Sequence, residues 1–340
     1  MSLSSRTKVL ALGAKEAPSK RGNAARTRII VVTAVVIIVL IVGAVTRGTT
    51  PMLQSVVDGL RLGLVLALIG VGLSLIFSTT GIFNFAQGEF ATLGAGVSLA
   101  LNASVGMPVI PAIGIAVVVG AAFGVVSEKL LWKPLRARKV DTISTLVVAI
   151  GLGIALRNLF LALMGGSSRS YTEFAVQDPL NFGGVSVTPK AIASIAVSLI
   201  ALGLLALFLK RTRAGQAIRA VADDPTIASA TGIATGRQLI LVWAIGSALA
   251  ALGGTLLGLV EQVRWDMGNQ VLLLVMAGVT VGGLGTVLGA VIGSVLIGIV
   301  TQASTLWIPA ELKYVTALAV LVLILLLRPQ GLFGRRERIG

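Results

Sequence analysis

The sequence predicts an all-α, polytopic membrane protein of about ten transmembrane or half-membrane helices. Three observations carry this. Of 340 residues, 56% are hydrophobic and only 12% charged, and the mean hydropathy is +0.98. A soluble domain of that size cannot bury so much apolar surface, so lipid is the solvent. Uninterrupted apolar runs near the bilayer-spanning length of roughly 20 residues recur along the chain, which indicates helices rather than a barrel. The 41 glycines suit helices that approach one another closely.

In order, the apolar segments fall at about 29–46, 53–78, 84–101, 109–131, 142–163, 189–209, 238–260, 270–283, 286–304 and 312–328. They divide the chain into a basic tail (1–28), an extra N-terminal anchor (29–50), a membrane body (51–330) and a basic C-terminus (331–340). Ile29–Val45 carries no charge and follows a tail too long for an ordinary signal peptide, so it is read as an uncleaved anchor. The longest outer loop is 165–188, made polar by Tyr171, Glu173 and Asp178. Segments 53–101 and 238–304 each read as a long helix, a break and a Gly-rich helix. Entered from opposite sides, they suggest an inverted repeat.

Charge sets the orientation. With the N-terminus inside, 21 of the 28 Lys and Arg fall on the cytoplasmic side, 5 outside, and Arg61 and Arg157 within segments. Both termini are therefore expected on the cytoplasmic side of the membrane. The net charge of +15 reflects this bias, and nucleic acid is not an expected partner.

Motifs follow the segments. In "GIFNFAQGEF" (Gly81–Phe90), Asn84 and Gln87 have the spacing of a capping box. A helix is thus expected from Phe85, with Gly81 turning the chain just before it. Its N–H groups would favour an anion. Asn84 and Gln87 either satisfy that helix start or serve function. Glu89 either faces a cavity or sits at the water interface, since a carboxylate in the bilayer is costly. The polar island at 210–237 holds apolar residues at Ala217, Ile218, Val221, Ala222, Ile227, Ala228 and Ala230. Pro225 suits a first helical turn, capped by Asp223 or Asp224, so two short helices with a corner at 223–225 are expected. Such helices need a docking partner to be stable. In "VGGLGTVLGAVIGSVLIG" (Val281–Gly298), Gly285, Gly289 and Gly293 form overlapping G-x-x-x-G steps for helix packing, and Gly120 with Gly124 forms another.

Absences matter too. With neither Cys nor His, the chain offers no disulfide, thiol nucleophile or His relay, and no metal site is expected. No G-x-x-x-x-G-K-[ST] occurs, nor any catalytic set, so no enzyme activity is expected.

Four stretches in order carry a resemblance. "IFNFAQGEF" (82–90), "RAGQAIRAVADDPTIASATGI" (213–233), "VGGLGTVLGAVIG" (281–293) and "RPQGLFGR" (328–335) resemble the signature, coupling loop, Gly-rich run and ending of LivH-type permeases of branched-chain amino acid ABC transporters. Residues 1–50 fall outside the resemblance. Gln87 stands where familiar members have His; both hydrogen-bond, but only His titrates near neutral pH. The resemblance implies an ATP-driven importer moving solute by alternating access. It also implies ABC ATPase subunits as partners, a second permease subunit and an extracytoplasmic solute-binding protein, besides membrane lipid. This chain would hold no cofactor, ATP being bound by the partner subunits. Gly215, Arg219, Ala220, Asp224, Ala228 and Gly232 match the coupling loop. Asn84, Gln87, Gly88 and Glu89 become candidates for the substrate pathway. There Phe83, Phe85 and Phe90, followed by Ala91, Gly94 and Gly96, would make a wall for an aliphatic side chain. The solute's carboxylate would meet the N–H groups near Asn84, and its ammonium Glu89. Alternatives are a permease for urea, short amides or another small solute of the same superfamily, an ATPase-independent secondary transporter, and a membrane enzyme.

Overall fold

The computed structural model describes residues 43, 45–173, 177–309, 312–327 and 331. The tail 1–28, nearly all of the anchor 29–50 and all of the C-terminus beyond Gly331 lie outside the described residues. Among the described residues, six helices are long and apolar enough to cross a membrane, and two shorter apolar helices join them. The chain is an all-α, multi-pass membrane protein.

The centre is α1 (Thr49–Thr80), whose apolar window is 83% enclosed by the rest of the chain. Gly81 ends it at φ 68°, a backbone setting that glycine adopts without a Cβ penalty. After a break come α2 (Gln87–Val105) and α3 (Val109–Ser127). A π-helical turn at Glu128–Trp132 leads from α3 into the short α4 (Lys133–Ala137), and α5 (Thr142–Met164) returns across the membrane. A hairpin, β1 (Leu180–Phe182) with β2 (Val185–Val187), precedes α6 (Pro189–Arg211). The island follows as α7 (Arg213–Asp223) and α8 (Pro225–Ala230). The last members are α9 (Thr235–Val260), α10 (Met267–Gly282), α11 (Val287–Ser304) and α12 (Lys313–Leu327).

Close packing depends on small residues. Gly59 and Gly63 of α1 lie against the backbone of α11 at Ile299 and Val295. Gly94 and Gly254 bring α2 and α9 together at Ala251 and Ala91. Gly120 and Gly124 of α3 face Ala251 and Ser247 of α9. Gly289 and Gly293 of α11 sit on Gly282 and Gly278 of α10, where a Cβ would collide with backbone. Gly285 differs from its two G-x-x-x-G companions. It lies in the turn before α11 at φ 80°, so its part is to reverse the chain, not to pack a helix.

Outer helices are mostly exposed: only 17% of the α5 window and 22% of the α6 window are enclosed. The 169–173 loop is stitched to α2 and to the first residue of α3. Asn102 Oδ1 accepts from Thr172 N at 3.0 Å, and Val109 N donates to Glu173 Oε2 at 2.6 Å. Tyr171 is buried there with its hydroxyl 2.6 Å from Ser98 Oγ. Burial pushes its phenol up to about 12, so it keeps its proton and remains a hydrogen-bond donor.

Candidate functional site

The break after α1 turns back into the membrane. Gln87 Nε2 donates to the carbonyls of Ile69 (3.5 Å) and Gly246 (3.2 Å). Ile69 lies eleven residues before Thr80, the end of α1. By helix rise, α2 therefore starts about 16 Å above that end, inside the protein. Non-helical backbone at such depth must be satisfied by protein or line a cavity, and the break does both. Ile82, Asn84 and Ala86 are buried, while Phe83 and Phe85 alternate with them on the open side. Alternation of this kind is what an extended chain produces.

The amides differ from a capping box. The helix begins at Gln87, not Phe85, and Ala86 is the N-cap residue, with no side-chain cap. Asn84 Oδ1 instead accepts from Ala86 N at 3.1 Å, and Asn84 Nδ2 donates to Gln87 Oε1 at 3.1 Å. Gln87 thus uses both halves of its amide to tie the break to α1 and α9. A neutral imidazole offers one donor and one acceptor, so in place of Gln87 it could bond only one of the two carbonyls. The N–H groups of Gln87 and Glu89 are taken by the carbonyls of Asn84 and Ala86. With Ala86 N held by the Asn84 side chain, three of the N–H groups near Asn84, the place expected to hold an anion, already have acceptors.

Gly88 meets Gly268 of α10, and each would drive a Cβ into the other's carbonyl. Both residues are second in their helices, so the starts of α2 and α10 cross inside the protein. Gly268 N donates to Thr92 Oγ1 across the crossing at 3.0 Å. Glu89 belongs to this first turn of α2 and is 3% exposed, with Oε2 lacking any hydrogen-bond partner. Arg157 of α5 attracts its charge, and Asp266, just ahead of α10, repels it. The Arg157 guanidinium lies over the Trp265 ring, 5.7 Å from the centroid, with Nε buried and unpartnered. A cation on an aromatic face is attracted to it but keeps its N–H donors free. Asp266 is held by Arg264 at 3.1 Å and Gln270 at 2.9 Å. Arg157 and Glu89 therefore remain as opposite charges with unused hydrogen-bonding capacity.

Below the break, a cavity of about 530 Å³ is lined by Phe77, Phe83 and Phe85, by Thr142 and Leu146 of α5, and by Met276 of α10. Phe77, Phe83 and Phe85 form a ladder with centroids 5.6 and 5.5 Å apart. Arg136 stands at the rim, ion-paired to Glu128 of the π-helical turn. Four residues expected in the wall do not line this cavity. Phe90 turns away to meet Phe123 edge-on at 5.1 Å, and Ala91 and Gly94 serve the contact with α9. Gly96 faces the sulfur of Met164. Sequence reasoning missed Trp265, Thr92 and Gly268, which lie beside or across the crossing from Glu89. Their partners are remote in sequence, and none stands in a local pattern.

The island is a second, separate site. Thr212 Oγ1 accepts from Gly215 N at 2.9 Å and starts α7. Asp224 ends α7 and caps α8, accepting from Thr226 N at 2.8 Å and Ile227 N at 3.0 Å. The six coupling positions divide. Gly215 is pressed on Leu209 and Phe208, and Ala228 is buried, so neither offers a surface. Ala220 and Asp224 are half-buried, while Arg219 and Gly232 are exposed. Ile227, one of the island's recurring apolar residues, is 64% exposed.

Comparison with known proteins now decides the family. A family model described as "Branched-chain amino acid transport system / permease component" matches residues 55–327. The chain belongs to this family. The high-affinity branched-chain amino acid transport system permease protein LivH of Escherichia coli K12 is 33% identical over 300 residues, 84% of this chain and 96% of its own. BraD of Pseudomonas aeruginosa, a permease protein of the same description, is 30% identical over 301 residues, again 84% and 96%. The fructose import permease protein FruG of Bifidobacterium longum is 27% identical, covering 92% of this permease and 94% of FruG. The motif stretches at 82–90, 213–233 and 281–293 lie wholly within the matched region.

Proposed function

We propose that the permease carries branched-chain or related apolar amino acids through the membrane as one subunit of an ATP-driven importer. In this reading both termini and the island face the cytoplasm, where the positive charges gather. The island docks on a separate ATPase subunit through Arg219, Ile227 and Gly232. A solute-binding protein delivers solute on the hairpin side, and a second permease subunit covers exposed helices such as α5. ATP-driven movement of the island shifts the permease between two states, which requires contacts that differ between them.

One observation carries the choice of solute. Glu89, buried at the helix crossing, and the half-buried Arg157 of α5, which attracts its charge, are opposite charges that each keep a buried atom without a hydrogen-bond partner. A zwitterion completes both: its ammonium meets Glu89 and its carboxylate meets Arg157. A sugar such as fructose brings hydroxyls but no formal charge to set against either group, so it would leave that complementarity unused. The Phe83–Phe85 ladder then offers an apolar path for the side chain.

The test uses reconstituted complex with Glu89→Gln and Arg157→Gln, reading leucine uptake and ATPase activity together. Each variant should lower uptake by about five- to a hundred-fold, corresponding to about 1–3 kcal/mol for a charged hydrogen bond. Assembly with the ATPase should persist. Unchanged uptake in both variants would remove the pair from the pathway, and fructose uptake resistant to both would favour a sugar permease.

A further inference from the structure

The structure assigns a binding site for an anionic glycerophospholipid to the cleft between α7, α9 and α3. The cleft holds about 630 Å³ and runs from the polar island into the membrane. Its mouth carries Arg213, the first residue of α7, and Arg237, in the first turn of α9. Both are exposed, and among the described residues neither has an ion-pair partner. Beside them Gln238 presents Oε1, buried and without a hydrogen-bond donor. Deeper in, the wall is apolar, with Val125 of α3 opposite Leu241 and Ala244 of α9. No acidic residue lines the cleft.

Each part fits one part of a phospholipid. A phosphodiester between two guanidiniums accepts several charge-assisted hydrogen bonds, which the planar arginine fork favours. Two positive charges prefer a net negative headgroup to a zwitterionic one. Gln238 Oε1 requires a donor, which a headgroup hydroxyl supplies. An acyl chain continues along Val125, Leu241 and Ala244, where a soluble anion would find nothing to bury. The depth agrees, since Ala244 lies ten positions into α9 and Arg237 only three. The bound lipid would bridge the island to the first membrane turns of α9. This does not depend on the identity of the solute.

Native mass spectrometry of the complex in phosphatidylglycerol and phosphatidylethanolamine mixtures tests it. The wild type should retain phosphatidylglycerol at least about fivefold over phosphatidylethanolamine. Arg213→Gln with Arg237→Gln should abolish that preference, whereas Lys210→Gln with Arg211→Gln, on the neighbouring exposed turn, should keep it. Ala244→Phe, which fills the apolar part and leaves both arginines, should also reduce retention. A circular-dichroism melt identifies any variant that has failed to fold. Equal retention of both lipids by the wild type, or undiminished retention by the arginine pair variant, overturns the site. Loss of the ATPase subunit with lipid retention unchanged would show a protein contact there instead.

Discussion

The helix crossing and the island solve opposite problems with similar residues. At the crossing, Gly88 and Gly268 are backbone against backbone, and side-chain amides bind helix carbonyls far away in sequence. Charge there is left incompletely bonded, at Glu89 and Arg157. On the island every cap is local, made within three residues, and its exposed surface is side chain rather than backbone. Lipid supplies no hydrogen bonds, so unmet capacity at the crossing is costly and points to a visiting ligand. Water meets any polar group on the island, so what is unmet there is apolar: Ile227, 64% exposed.

The largest effect should come from Gly268→Val. The new side chain meets the Gly88 carbonyl and Thr92 Oγ1, neither a flexible tip. Overpacking of this kind costs about 1–3 kcal/mol or more, and folded yield in detergent should fall sharply. Gly236→Ala is the control, because nothing lies near its added methyl. Equal yields for the two would mean that the crossing accommodates a side chain.

A smaller global effect with a specific loss is expected from Ile227→Asp. Thermal stability should hold, since the side chain is exposed and an acidic residue is tolerated in the first turn of α8. Copurification of the ATPase should drop at least tenfold if this tip docks. Gly232 suits the experiment less well, because its φ of 86° strains any replacement before bulk matters. Retained ATPase would return the tip to the status of an ordinary loop.

Asp224→Ala should act least. Losing an N-cap costs about 1 kcal/mol, confined to a six-residue helix. Amide exchange at Thr226 and Ile227 should quicken about fivefold, with the membrane helices unaffected. If their exchange changes as well, the island is cooperative with the core, and the contrast drawn above is too sharp.

Legibility in the sequence followed the same division. The corner of the island was readable because its determinants are adjacent: Asp223 and Asp224 stand directly before Pro225, and Asp224 is the one that caps. Gly81 as a turn was readable for the same reason. The crossing was not, because the partners of Gln87 lie 18 and 159 positions away. The Asn84–Gln87 spacing looked like a capping box, but bilayer depth gave those amides remote carbonyls to satisfy. Phe90 was placed on the solute wall by proximity to Glu89, whereas helical rotation turns it onto Phe123.

By itself, the sequence determined that lipid is the solvent, that the backbone is helical and where its segments lie. Those follow from the transfer energetics of apolar runs and from local caps, which need no knowledge of neighbours. Only the tertiary structure decided that α2 begins inside the protein against α10, that the buried Glu89 lies near Arg157, which itself stands on Trp265, and which island residues face outward. Each depends on which helix faces packed together, and small residues let many faces approach until backbone contacts such as Gly88 on Gly268 select one.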